Sequence, residues 1–397
     1  MAHLRLPTNV TSAHASSPTS MIGNPRVVMH ERLPKQLQPF LTWLTAQPAP
    51  GEPVRERSPL CFVVGSILQV VLGAVLTMLA LRFSACLVPV GLLLTTSGLG
   101  LLQVVVFHHC SHGTVFKRSR DAQSGPDLNV IGGRLISAIL LFKHFDLYAR
   151  GHMLHHSNNK LLTQEDEFAD FVFNTCGLQA GLPHAVLRRR VLLSLVSPEF
   201  HARFLARRLK AAWWSHDPRH NLVGAAAWAV LAATAAATNQ VPAFLVAWVL
   251  PVTVLLQAAT VGRILCEHCF PEPTLIAARG RDFTAHATAG VFPGSMPPLA
   301  RATTIPGLAR WTVWWADMLT VQLVVRLFVL VGDAPCHDYH HRKPASRRWT
   351  SYIQARQHDL EATMDTHRAR YSEVWGLFRA VDVTLASLSR LPAGTAF

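Results

Sequence analysis

The chain has 397 residues, of which half are hydrophobic and only 15% are charged, whereas about a quarter are charged in a typical soluble domain. Its net charge of +14 would indicate a nucleic-acid partner in a soluble protein, but the stretch from Asn221 to Gly262 contains no Asp, Glu, Lys or Arg. We therefore expect no nucleic acid and assign the basic residues to the cytoplasmic flanks of a membrane protein.

The chain begins with a segment, residues 1–58, that is rich in Pro, Ser and polar groups and shows no apolar core of a signal peptide. We expect it to be partly disordered. The charge-free runs that follow predict four membrane spans, because a spanning helix needs about 20 apolar residues. These spans cover residues 60–81, 85–107, 221–238 and 242–263. The third is rich in alanine, and a buried helix is the alternative for it.

The turns between spans 1 and 2 and between spans 3 and 4 are nearly uncharged, whereas the segments before residue 60, from 117 to 220 and after 263 hold nearly all the Lys and Arg. This asymmetry predicts two hairpins with both termini in the cytoplasm. Two other apolar stretches, Ile131 to Phe142 and Trp311 to Val331, contain charged residues. We expect both to lie along the membrane as interfacial or cap helices.

Histidines recur in three short motifs, "HHCSH" at 108–112, "HMLHH" at 152–156 and "HDYHH" at 337–341, and a further histidine follows span 4 in "CEHCF". An even number of predicted crossings separates every pair of these segments, so all lie on one side of the bilayer. Within each motif the histidines are three or four residues apart, which places them on one face of a helix. The candidate metal ligands are His108, His112, His152, His155, His156, His268, His337, His340 and His341.

Nine imidazoles are too many for one zinc site and suit two metal ions with open positions. Imidazole binds Zn, Cu, Fe and Ni, so the ligand type does not select the metal. Cys266 and Cys269 form a CxxC, for which zinc or redox chemistry is an alternative. Seven other histidines are expected at the surface or beside ligands. His109 lies inside the first motif but off its ligand face, and the remaining six have no partner at the spacing of ligands; they are His144, His184, His201, His216, His220 and His286.

A membrane metal transporter or metal-buffering protein is an alternative of another class. Ionisable residues inside spans usually mark an ion pathway. Here the histidines lie at span ends and beyond, and the spans contain no Asp or Glu. This arrangement favours a metal centre beside the membrane over a pathway through it.

The three motifs resemble the histidine boxes HxxxH, HxxHH and HxxHH of the membrane fatty acid desaturase superfamily, which includes hydroxylases. The first box departs from the usual pattern, because His109 stands where an acidic residue is common. His268 follows a glutamate, as in the membrane alkane hydroxylases, and takes the place of an isolated extra ligand in desaturases. The resemblance covers about residues 60–345 and does not separate desaturation from hydroxylation.

The resemblance implies an all-α membrane protein with about four transmembrane helices and a cytoplasmic helical cap that holds two iron ions in a non-heme di-iron centre. It divides the chain into 1–58, a desaturase-like domain at 59–345 and a cytoplasmic helical tail at 346–397.

The resemblance also implies O2-dependent oxidation of an acyl or alkyl chain. The substrate would be an acyl-CoA, an acyl carrier protein thioester or a lipid. Electrons would come from a ferredoxin, a rubredoxin or a cytochrome b5 type protein. Asp166 or Glu167 would orient a ligand imidazole, with a solvated acidic turn as the alternative for both, and Glu267 is a further candidate for a supporting role.

Overall fold

The computed structural model describes residues 23–117, 127–363 and 371–395. Helices dominate this part of the chain, and two three-residue strands form its only sheet. Four helices are long and apolar enough to cross a membrane, as the sequence predicts. They are span 1 (Pro59–Phe83), span 2 (Ala85–Ser111), span 3 (Pro218–Ala237) and span 4 (Val241–Glu267). The protein is therefore an all-α membrane protein.

Span 3 is not a buried helix, because large apolar side chains such as Leu222 and Val230 are exposed along it. Spans 1 and 2 pack closely, and glycines allow the approach of their backbones. A Cβ atom built on Gly73 would lie 2.4 Å from the backbone nitrogen of Thr95, and one on Gly91 would lie 2.3 Å from Oγ1 of Thr77. Small residues at such contacts are characteristic of helix packing in membranes.

Spans 2 and 4 contain π-helical turns, at Leu102–Phe107 in span 2 and at Leu245–Val249 and Pro251–Leu255 in span 4. The turn in span 2 ends directly before His108, the first candidate ligand. A π-helical turn rotates the following residues relative to a regular helix, and such turns are frequent at functional sites. Here the turn sets the direction in which the first histidine motif faces.

The remaining helices cover the segments before, between and after the spans. In chain order these helices are Pro25–Arg32, Gln38–Thr45, Leu128–Ile139, Phe145–His155, Glu167–Asp170, His184–Val196, Pro198–Trp213, Pro273–Ala278, Gly280–Ala287, Ile305–Asp317, Leu323–Phe328, His337–Arg342, Tyr352–Thr363 and Leu377–Arg390. Further π-helical turns span Phe171–Thr175 and Met318–Gln322, and 3-10 turns span Lys35–Leu37, Ala85–Leu87, Ala334–Cys336 and Arg347–Ser351.

The two apolar stretches that the sequence assigned to interfacial helices are not among the four candidate spans. The first forms the helix Leu128–Ile139, with Ile131 and Leu135 exposed. The second forms consecutive helical segments from Ile305 to Phe328, with apolar side chains such as Leu308 and Val313 exposed. Their position at the bilayer surface stays a prediction.

The described segments that flank the spans, which begin at residue 23 and end at residue 395, pack into the fold. The helix Pro25–Arg32 buries Met29, which packs in one apolar cluster with Trp314 and Met318. Near the other end, β2 (Glu373–Trp375) pairs in parallel with β1 (Gly290–Phe292), and the helix Leu377–Arg390 packs against the end of span 4. The division of the chain at residues 58 and 345 stays a prediction, since both flanking segments contribute buried residues to shared cores.

Candidate metal centre

The four histidine segments belong to different elements that meet on one side of the spans. His108 and His112 lie at the end of span 2, where the helix His108–Ser111 begins. The second motif ends the helix Phe145–His155. The third lies on the helix His337–Arg342. His268 follows span 4 with an extended backbone, φ −134° and ψ 148°, which turns its ring away from the span axis.

All nine predicted ligands come together in two groups, which we call group A and group B. Within each group the candidate ligand atoms lie within 4.8 Å of one another. Group A consists of His108, His112, His152, His156 and His340. Group B consists of His155, His268, His337 and His341. Among the described residues no other set of three or more His, Cys, Asp or Glu side chains is as compact.

Helical geometry explains how one motif serves both groups. With about 100° per residue, positions i and i+4 differ by about 40°, whereas position i+3 lies about 60° away on the other side. In the second motif His152 and His156 join group A, and His155 points to group B. In the third motif the sharing is reversed, because His337 and His341 join group B and His340 points to group A.

The imidazoles meet through Nε2. In group B, Nε2 of His155 lies 3.1 Å from that of His268 and 3.2 Å from that of His341. Nε2 of His337 lies 3.1 Å from His268 and 3.0 Å from His341, which closes a ring of four nitrogens. A neutral Nε2 is either a donor or an acceptor, so hydrogen bonds cannot satisfy all four contacts. Nitrogens bound to one cation at about 2.1 Å and at right angles would lie about 3.0 Å apart, and the ring matches this spacing.

Group A shows the same spacing of nitrogens. Nε2 of His108 lies 2.7 Å from Nε2 of His340, and Nε2 of His152 lies 3.0 Å from His112 and 3.1 Å from His156. These donor sets fit a metal ion in each group. A site with imidazole ligands and open positions is compatible with iron as well as zinc, copper or nickel.

The second ring nitrogen of two group B histidines has an acceptor. Nδ1 of His155 lies 2.8 Å from Oδ1 of Asp166, and Nδ1 of His268 lies 3.2 Å from the carbonyl oxygen of Ala287. A proton on Nδ1 donates to these oxygens and leaves the lone pair of Nε2 free for a metal, which is the usual role of such partners. Asp166 is fully buried and also accepts from the backbone N–H groups of Leu162 and Phe168.

The environment keeps most of these imidazoles neutral, which is the ligating form. Burial, followed by His112 and other neighbouring imidazoles, lowers the pKa of His340 well below its ordinary value. Burial and the neighbouring His268, His155 and Arg263 do the same to the pKa of His337. His155 is the exception. Burial alone would lower its pKa, but the charge and hydrogen bond of Asp166, together with the charges of Glu267 and Glu167, outweigh burial and raise it.

The other two predicted supporting carboxylates form no hydrogen bond to an imidazole in the described structure. Glu167 pairs with Lys143, and Oε1 of Glu267 lies 2.9 Å from Nη1 of Arg263. Both line the cavity described below. Of the three expected roles, only that of Asp166 as the partner of a ligand imidazole is matched by a contact.

Two buried side-chain contacts near the third motif were not predicted. Asp338, inside the motif, accepts from Nε and Nη2 of Arg356, with Nη2–Oδ2 at 2.8 Å. Asp333 lies 2.7 Å from Nε2 of His109, whose ring stacks on Trp349 with centroids 4.3 Å apart. His109, which replaces the usual acidic side chain of the first motif, thus has an acidic partner, Asp333. The position of Asp333, four residues before His337, was the one feature of the sequence that could have suggested a supporting role for it.

The expectation for the other histidines is wrong for three of them, because His144, His201 and His220 are buried away from both groups. His144 lies between His216 and His220, with ring centroids at 4.8 and 4.4 Å. Residues 144 and 220 are too far apart in sequence for spacing to reveal the contact. The CxxC cysteines join neither group, and their thiols donate to the carbonyl oxygens of Arg263 and His286.

A cavity of about 540 Å³ reaches both groups. Its wall includes His108, His152 and His340 of group A and His155 and His337 of group B. Apolar side chains such as Phe107, Phe142, Phe171 and Leu256 form much of the remainder, and Tyr148 lies with its ring 5.2 Å from that of His152. The volume falls within the range of small-molecule sites. A substrate in this cavity would lie directly against the candidate ligands.

Fold and site together define a class: an all-α membrane protein with two histidine groups that could each hold a metal ion beside a cavity. A model of the fatty acid desaturase family matches residues 82–375. The chain therefore belongs to the fatty acid desaturase family, a family of metal-using oxidoreductases that also contains hydroxylases. No curated protein and no solved structure matched the chain.

Proposed function

We propose that the protein is an O2-dependent, non-heme di-iron oxidase that desaturates a fatty acyl or acyl-like chain, with electrons from a separate donor. The observation that carries this proposal is the convergence of nine Nε2 atoms in two groups, with five of the nine histidines lining one cavity. Iron in both groups would supply the activation of O2 and the removal of hydrogen from an unactivated C–H bond. The nine histidines would be its ligands.

The side chains around the two groups would position the ligand imidazoles and exclude water from the cavity. Phe107, Phe142 and Phe171 line the cavity and would exclude water from a bound chain. Asp166 would hold His155 in the tautomer that presents Nε2 to the metal. Arg356 and Asp338 would hold the helix of the third motif. The location of both groups at the ends of spans 2 and 4 supports an enzyme over a metal transporter.

The even number of crossings supports a metal centre and both termini on the same side of the membrane. The concentration of Lys and Arg in the segments on that side supports its assignment to the cytoplasm. The positive charge of +14 suits an acidic electron donor, such as ferredoxin, rubredoxin or a cytochrome b5 type protein, and also anionic lipid headgroups. It equally suits acyl-CoA, acyl carrier protein or lipid as the carrier of the substrate chain. Cysteine labelling from either side of sealed vesicles, with single cysteines placed in the turns 84–87 and 238–240, tests the orientation.

Metal content is the first test of the proposal. We expect purified protein in detergent to contain about two iron ions per chain, and the His337→Ala/His340→Ala variant, which removes one ligand from each group, to lose them. Zinc without iron, or iron retained by the variant, would contradict the proposal.

Product analysis then separates the two reactions of the family. Reduced protein supplied with an acyl substrate and 18O2 should give a product two hydrogens lighter without label. A product that carries 18O would establish hydroxylation, which is the second candidate reaction. Absence of both products in an iron-loaded, reduced sample with a full panel of acyl carriers would count against acyl oxidation.

A further inference from the structure

The cavity beside groups A and B is unusually rich in charge for the site of a hydrocarbon chain. Its wall contains four arginines or lysines, Lys143, Arg207, Arg208 and Arg263, together with four carboxylates, Glu167, Asp170, Glu267 and Asp333. Most of these charges have partners that account for them. Lys143 pairs with Glu167, Asp333 with His109, and Asp170 accepts from the side-chain amide of Asn174.

The arginines differ in how many of their donors are used. Arg208 donates from Nε, Nη1 and Nη2 to the carbonyl oxygens of Leu141, Val252 and Leu140, so its role is structural. Arg207 lies exposed and donates to Oγ1 of Thr175. Arg263 is different, because its side chain is only 16% exposed and only Nη1 has a partner, Glu267. Among the described residues nothing accepts from its Nε or Nη2.

Nε and Nη2 of an arginine form the edge that binds a carboxylate with two parallel hydrogen bonds. Since Arg263 lies in the cavity wall, this edge is available to an oxyanion inside the cavity. The arginine is also close to the metal groups. Its charge contributes to the lowered pKa of His337, and Glu267, its partner, directly precedes His268.

The face of span 4 that lines the cavity is largely polar. This helix contributes four polar side chains to the wall, Gln257, Thr260, Arg263 and Glu267, and two apolar ones, Leu256 and Ile264. The four polar positions are three or four residues apart and share one face. Gln257 contacts Nδ1 of His201, Oγ1 of Thr260 donates to the carbonyl oxygen of Leu256, and Glu267 accepts from Arg263, so these groups have partners within the protein. A long hydrocarbon chain lying along this face would leave Nε and Nη2 of Arg263 unpaired in a largely buried side chain, which is costly. A substrate with its own anionic group would satisfy them.

We propose that Arg263 binds an oxyanion of the substrate, a carboxylate being the simplest case, so that the oxidised C–H bond lies close to the polar end of the substrate. The inference rests on the proposed oxidase function and specifies its substrate class. Glu267 is a positioning residue in this proposal: its contact with Nη1 directs the Nε–Nη2 edge of Arg263 into the cavity.

The test compares carboxylates with uncharged analogues of the same shape. Butanoate, octanoate and dodecanoate, each with its amide, are titrated calorimetrically into iron-loaded protein in lipid nanodiscs. We expect at least one carboxylate to bind about tenfold or more tightly than its amide, as expected for charge-assisted hydrogen bonds. In Arg263→Gln we expect the preference to disappear, with amide binding little changed and the iron content retained.

Two further variants keep the experiment decisive. Arg203→Gln removes an exposed arginine outside the cavity, so it lowers the net charge equally and should keep the full preference for carboxylates. Arg263→Gln could misfold because it leaves Glu267 buried without a partner. Arg263→Gln/Glu267→Gln avoids this and leaves the net charge unchanged, and it should also bind carboxylate and amide equally.

The outcomes separate the inference from the function on which it rests. A carboxylate preference that persists in both Arg263 variants would place the anion elsewhere and overturn the inference. Equal binding of acids and amides by wild-type protein, or no binding of any carboxylate, would also overturn it. Iron content decides the proposed function independently, because iron-free wild-type protein would contradict the oxidase whatever the titrations show.

Discussion

Groups A and B are built from the same residue type but differ in their surroundings. All four members of group B are buried, and two of them have an oxygen acceptor on Nδ1 at 3.2 Å or less. Group A has five members, of which His112 and His156 are partly exposed. Its one hydroxyl partner is weaker, since the oxygen of Tyr148 lies 3.4 Å from Nδ1 of His108.

This difference indicates that the two groups would not be equivalent as metal sites. Nδ1 partners hold the rings of His155 and His268 in group B in place before a metal binds, which favours tight binding. In group A the ring positions depend more on packing of the imidazoles against one another. The partial exposure of His112 and His156 leaves these two side chains freer to move. The following four experiments compare the groups, from the largest expected effect to the smallest.

Removing two ligands from group B should have the largest effect. In His337→Ala/His341→Ala only two imidazoles of that group remain, so we expect about half of the bound iron and all oxidase activity to be lost. Elemental analysis and product assays measure both. The control is His184→Ala, which removes a half-exposed histidine that pairs with Asp382 outside both groups. Full iron in the double variant would show that group B does not bind metal.

Removing the anchor of group B should have the next largest effect. Asp166→Asn keeps the size of the side chain but weakens the hydrogen bond to Nδ1 of His155. Such changes typically reduce metal affinity or activity by about 10- to 100-fold. A chelator competition assay on the variant measures the affinity. Glu165→Gln changes an exposed neighbour that pairs with Lys160 and should leave affinity unchanged. Equal metal affinities of Asp166→Asn and wild type would show that Asp166 does not support metal binding through His155.

Acid should affect group B before group A. The pKa of His155 is raised above its ordinary value of 6.5, so in metal-free protein its Nε2 gains a proton as pH falls through that raised value. The pKa of His112, lowered to about 3 by burial and by His109, keeps that ligand neutral. Because protons compete with metal at Nε2, we expect iron retention to decline in two steps as pH is lowered.

In metal-free Asp166→Asn, the protonation of His155 should move to lower pH, because the carboxylate that raises the pKa of His155 is gone, whereas the weaker metal binding of this variant shifts iron release toward higher pH. Iron analysis after gel filtration at each pH follows both steps. Release of all iron in a single step, at the same pH in wild type and variant, would show that the two groups behave as one.

Removing the partner of group A should have the smallest effect. Tyr148→Phe deletes the hydroxyl at 3.4 Å from His108 but keeps the ring that stacks on His152. A hydrogen bond of this length is weak, so we expect less than about 1 kcal/mol in metal affinity. The same competition assay measures it. A loss as large as that in Asp166→Asn would mean that group A is anchored as firmly as group B.

Local patterns in the sequence predicted much of this molecule. Charge-free runs of about 20 residues gave all four candidate spans within a few residues, because span length depends on composition alone. Helical spacing selected the nine histidines that the structure gathers in groups A and B. That they bind iron stays a proposal.

Contacts between distant segments could not be predicted in this way. Nothing in the spacing around Asp338 indicates Arg356, which lies 18 residues away, and nothing around His109 indicates Asp333, 224 residues away. The buried contact of His144 with His220 was missed for the same reason. The polar lining of the cavity was also unexpected. Helical spacing places the polar residues of span 4 on one face, but only the tertiary structure shows that this face lines the cavity.

The sequence by itself determined the spans, the class of the fold and the set of candidate ligands, because each depends on residues within one or two helical turns. Tertiary structure decided how the nine imidazoles divide between two groups, which carboxylate contacts a ligand and which charges enter the cavity. These features depend on the relative placement of four segments that are far apart in the chain. The packing of spans 2 and 4 with the helices of the second and third motifs sets that placement.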